Sequence, residues 1–310
     1  MGRNNRRTSL GIYLTLLVVV VGALIWLNHK GKELKNSRPA AIGNPSWNQK
    51  TTSPTPDSLP KNQPLPTQKI EDESGQNEKT DKPPTDQQPS VDDFTSVGSL
   101  NHQYLQSNSF PRLVVEIDSA ESTPGSDNAV SVLISTIKMY ADKPRGIIQS
   151  GGNKFSTQKA KYTAQDLLEL AKQNRSSYSQ GDTVSLYILY VNGSFAENED
   201  ALGVALNASV FVIFKDRISQ ATTALVLASE IERAVLIHEL GHLLGLVNIN
   251  YQSSRNHEDS GHPKHANNTN SVMYWAVEDI SVANILRGGP PYRFDSDDQY
   301  DIEMIKNGTY

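Results

Sequence analysis

The chain has 310 residues, 37% of them apolar and 20% charged, which is enough for one well-packed domain plus additional segments. A formal net charge of −5 provides no global basic field, so no nucleic-acid partner is expected. The absence of cysteine excludes disulfides and thiolate ligation, leaving histidine and carboxylate to hold any metal.

From the amino terminus, residues 1–9 form a short basic segment with Arg3, Arg6 and Arg7. The uncharged run Leu10–Leu27 would make a helix of roughly 27 Å, about one bilayer core. No small-residue cleavage pattern follows it, so residues 10–28 read as an uncleaved signal anchor, and cleavage would instead give a secreted protein. Charge on the two flanks is balanced, and an extracytoplasmic catalytic domain on a single-pass membrane protein is the expectation carried forward. Residues 29–105 read as a disordered linker: ten of the sixteen prolines fall between 36 and 99, among Gln, Ser and Thr, with few apolar residues to offset the entropy of ordering.

The folded domain is expected over 106–310. Pro111–Ile117 reads as a strand, Asn128–Tyr140 as an amphipathic helix and Arg145–Gln149 as a short second strand. A helix over Thr163–Gln173, capped by Thr163, and a strand over Val184–Val191 complete a βαβαβ order. Leu202–Leu206 and Ser209–Phe214 are expected as edge strands or a hairpin, and a long helix runs from about Leu225 to Val247. An α+β fold follows, a mixed twisted sheet with packed helices.

Five of the seven histidines lie between 238 and 265. Residues 238–242 read HELGH, and an i, i+4 pair on a helix presents both imidazoles on one face. His238 and His242 would supply two nitrogen ligands to zinc, and Glu239 beside them is placed to act as general base. Gly241 and Gly245 each cost a helix about 1 kcal/mol against Ala, so close approach or an abrupt turn is expected there.

HELGHLLGLVN at 238–248 resembles the metzincin zinc-peptidase signature, with His238, Glu239, His242 and Gly245 matching. Asn248 stands where that pattern places its third histidine. HANNTNSVM at 265–273 is similar to the archaemetzincin segment, with Ala266 and Ser271 in place of its two cysteines. The resemblance implies His265 as third ligand, Met273 as the methionine of the Met-turn beneath the metal, and residues 248–264 as an inserted loop. It also implies a cleft-edge strand at Gly203, Val204, Ala205 and Leu206 that would bind an extended peptide. The segment 294–305 resembles the family's C-terminal helix, with Ser296, Asp297 and Asp298 suited to its N-terminus.

Alternatives stay open within this reading. His257, Asp259 and His262 lie in the insertion and are alternative ligands, and His257 with Asp259 also reads as support around the site or as a second cation site. Tyr274 is either an oxyanion-stabilising phenol or a buried core residue. In a gluzincin arrangement Glu278 would replace His265. The expected function is a membrane-anchored zinc endopeptidase acting on a peptide or protein, and the contrasting class is a surface-tethered peptide-binding pseudoenzyme.

Overall fold

The computed structural model describes residues 91–308 except 158 and 287. The expected basic segment, anchor and most of the linker lie outside these residues; among the described residues no helix is long and apolar enough to cross a membrane. Order begins before the expected boundary at 106. Asp93, Leu100, Asn101, Tyr104 and Leu105 are buried, and residues Asn101–Leu105 form helix α1. Tyr104 donates its hydroxyl to the carbonyls of Ser185 (3.2 Å) and Ala208 (3.0 Å), so this short helix is tied to the middle of the sheet.

Strands β1 (Arg112–Ala120), β2 (Ile147–Phe155), β4 (Thr183–Val191), β6 (Gly203–Ala205) and β7 (Val210–Phe214) form one sheet in the order β2-β1-β4-β7-β6. A second, two-stranded sheet pairs β3 (Lys161–Tyr162) with β5 (Ser194–Phe195). Within the large sheet every pairing is parallel except β6 against β7. The expected mixed sheet is therefore present, and its mostly parallel pairing gives the domain α/β character. Helices α2 (Asp127–Tyr140) and α3 (Ala164–Asn174) lie between successive parallel strands of the sheet, the length of connection that parallel pairing requires.

A parallel strand covered on both faces reads as a continuous apolar run, and β4 is buried from Val184 to Val191. Its alternate residues separate into two cores. Leu186, Ile188 and Tyr190 join the cluster that includes Leu133 and Leu236, whereas Tyr187, Leu189 and Val191 pack with Leu167 and Ala171 of α3. Thr163 caps α3 as expected: its hydroxyl accepts from the Asp166 amide (3.2 Å) and Asp166 accepts from the Thr163 amide (3.1 Å).

Four boundaries depart from expectation. The second strand extends to Phe155 because a register shift opposite Ile117–Ser119 lets pairing continue past Gly151 and Gly152, both at positive φ. Gly203–Ala205 and Val210–Phe214 pair antiparallel as the expected hairpin, with β6 at the edge and β7 inside the sheet, and helix α4 (Lys215–Ala221) follows it without forecast. The long helix, α5 (Ala228–Leu243), starts later than Leu225 because the Thr223 hydroxyl accepts from the Val226 amide and holds a turn there. It stops at Leu243 because Gly245 takes a left-handed φ of 76°, a conformation that glycine adopts without steric cost. Two short turns, the 3-10 segment Trp275–Glu278 and helix α6 (Val282–Ile285), lead to helix α7 (Ser296–Lys306). Asp295, one residue before the expected trio, is the N-cap of α7, and Asp298 completes the capping box.

Candidate metal centre

Helix α5 is buried from Val235 to Leu243, and His238 and Glu239 are both fully inaccessible. One helical turn separates His238 from His242, whose rings lie 4.6 Å apart at 88° with their Nε2 atoms 3.0 Å from one another. His265 completes a triangle, its ring 5.2 Å from His238 and 5.1 Å from His242. The sequence separation is bridged by the loop after α5. Asn248, at φ 62°, donates to Glu258 (2.7 Å) and accepts from the Ser253 amide (2.9 Å), so it shapes the loop and supplies no ligand. Glu258 also accepts from the Lys264 amide, and the Asp259 amide donates to the His265 carbonyl (2.7 Å), which returns the chain to the helix.

Met273 is fully buried, and a Cβ placed on Gly241 would lie 2.2 Å from its sulfur. The carbonyl of Val272 accepts from His238 Nδ1 (2.7 Å), and that of Pro263 faces His265 Nδ1 (3.1 Å). A carbonyl can only accept, so in both imidazoles Nδ1 carries a proton and Nε2 is the atom turned toward the cluster. Tyr274 packs against the main core, with its ring 5.7 Å from Trp275.

His257, Asp259 and His262 are not brought to this cluster. His257 is buried against α7, its Nε2 2.9 Å from Asp301 and its Nδ1 3.7 Å from Asp298. Asp259 accepts from the Gly261 amide (2.7 Å), and His262 stacks on Trp275 at 4.2 Å. Glu278, expected only as a substitute for His265, stands beside it: its Oε1 is 3.1 Å from His265 Nε2 and its Oε2 3.5 Å from His238 Nε2. The spacing between His265 and Glu278 carries no periodic signal; only the 3-10 turn after Trp275 brings the carboxylate round.

One donor atom from each of His238, His242, His265 and Glu278 lies within 4.8 Å of all the others. Glu239 adds a second carboxylate next to them. Neither of its oxygens has a hydrogen-bond partner among the described residues, and a Cβ on Gly203 of β6 would lie 2.6 Å from its Oε1. Burial, and then the charge of Glu278, push the Glu239 carboxyl well above the usual carboxylate range, which the nearby Ala205 amide offsets only in part. Burial, and then His238 and His265, hold His242 well below the usual imidazole range. Three imidazoles and two carboxylates crowded together favour a cation, and an all-nitrogen-and-oxygen donor set suits zinc. The cluster opens on a cleft of about 350 Å³ lined by Asn198, His262, His265, Trp275, Glu278 and Asp279.

No protein-family model and no curated protein matches the chain. Among solved structures, the crystal structure of archaemetzincin from Methanopyrus kandleri is similar with a TM-score of 0.42 and 14% sequence identity, over 64% of this chain and 96% of that one.

Proposed function

We propose that this chain is a zinc-dependent endopeptidase of metzincin-like design, in which His238, His242 and His265 hold the metal and Glu239 is the general base. The observation that carries the reading is the convergence of three imidazoles, with Nε2 of His238 and His242 3.0 Å apart, beside the fully buried carboxyl of Glu239. Zinc bound there would supply Lewis acidity, which acidifies water and polarises a carbonyl oxygen.

Glu239 takes a proton from the attacking water and delivers it to the leaving amine nitrogen. Val272 and Pro263 fix the tautomers of His238 and His265 through their carbonyls, so neither ring has to reorient during turnover. The free edge of β6 offers backbone hydrogen bonds to an extended peptide, and Gly203 lets that strand approach Glu239 closely. In this reading residues 10–28 tether the enzyme to a membrane, with the catalytic domain extracytoplasmic; extraction of the expressed full chain by alkaline carbonate would refute the tether.

Glu239→Gln tests the assignment: it should keep zinc and abolish cleavage of a peptide library. A second reading is favoured by Glu278, because four protein donors are the closed set of a structural metal site. Stoichiometric zinc in the wild type without cleavage of any peptide would select that reading, a metal-stabilised binding module.

A further inference from the structure

Three histidines suffice for a catalytic site, yet a fourth donor stands among them. Glu278 Oε1 lies 3.1 Å from His265 Nε2 and Oε2 3.5 Å from His238 Nε2, and all four donors lie within 4.8 Å of one another. Catalytic zinc sites keep one coordination position open, whereas closed sites fill all four from the protein. Resting on the three-histidine reading, we infer that Glu278 is a fourth protein ligand that closes the metal site at rest, and that docking of a peptide on β6 releases it.

The backbone connects the two events. Glu278 ends the 3-10 turn Trp275–Glu278, and its carbonyl accepts from the Leu202 amide (2.7 Å). Ala201 and Asp279 pair as an antiparallel bridge, and the Ile280 amide donates to the Asp200 carbonyl (2.9 Å). Residues 200–202 run directly into Gly203, the first residue of the edge strand. A peptide paired with that strand would therefore lie beside the segment that is hydrogen-bonded to the turn carrying Glu278. The side chain itself has three rotatable bonds and is partly exposed at the cleft, so it can leave without unfolding its turn. Moving Glu278 outward leaves a position for solvent among the three imidazoles.

The test uses the full chain and measures metal binding, not turnover. Zinc affinity by competition with a chromophoric chelator, and the visible absorption of the cobalt-substituted protein, are compared for wild type, Glu278→Ala and Glu278→Gln. If Glu278 is a ligand, both variants bind zinc about tenfold or more weakly and the cobalt band moves in both, because neither replacement offers an anionic oxygen. A merely structural carboxylate would be replaced by the amide, so wild-type affinity and spectrum in Glu278→Gln overturn the inference while the three-histidine site stands. Failure of the wild type itself to bind zinc or cobalt would instead remove the three-histidine reading, and this inference with it.

Discussion

Gly241 and Met273 touch across the wall of the site so closely that a Cβ on the glycine would fall 2.2 Å from the methionine sulfur and 3.0 Å from Phe294. Gly241 lies between His238 and His242 on the helix, and Met273 follows Val272, whose carbonyl orients His238. Gly241→Ala should therefore destabilise the fold by about 1–3 kcal/mol, the cost of overpacking, despite the better helix propensity of alanine. Chemical denaturation checks this; unchanged or increased stability would mean that Met273 moves aside freely.

His265 and His257 make opposite predictions. His265→Ala should remove stoichiometric zinc, while His257→Ala should keep it and lower stability, because Asp301 and Asp298 would be left buried without their imidazole. Zinc content and thermal melting of the two variants separate the roles.

Gly203→Val should suppress peptide cleavage while leaving zinc bound. Any Cβ there presses on Glu239 Oε1 at 2.6 Å, displacing the carboxylate or the edge strand. Retained cleavage would show that Glu239 does not work from this position.

Burial, and then the charge of Asp295, raise the Asp298 carboxyl to about 7. When unfolded it ionises near 4, so between these values the folded chain holds one proton more, and stability falls as pH rises through that window. His257 has the same sign: burial lowers it, but its pairing with Asp301 and Asp298 outweighs this and leaves it above the usual imidazole value. Asp298→Asn should flatten the dependence between about pH 4 and 7, at most by about 1.4 kcal/mol per pH unit. Melting midpoints across that range are the check, and an unaltered slope would exclude Asp298 as the source.

The elements legible in the sequence were those with a local cause. The continuous apolar run of β4, the Thr163 cap and the i, i+4 spacing of His238 and His242 all act within a few residues, and each appears in the structure. Features set by distant partners were not legible. Residues 91–105 look like linker, yet they are ordered by burial of Leu100 and Tyr104 against the sheet, contacts that the local composition does not register. Glu278 reaches His265 through the 3-10 turn Trp275–Glu278, and His257 is drawn away by two aspartates some forty residues downstream. A histidine-rich loop advertises ligands without saying which of them a distant helix will claim.

Metal content tests the central claim most directly. The full chain, refolded with excess zinc and dialysed, should retain one zinc per chain in the wild type and in Glu239→Gln, and none in His242→Ala. A wild type that retains no zinc, or a His242→Ala variant that retains it in full, would contradict the account.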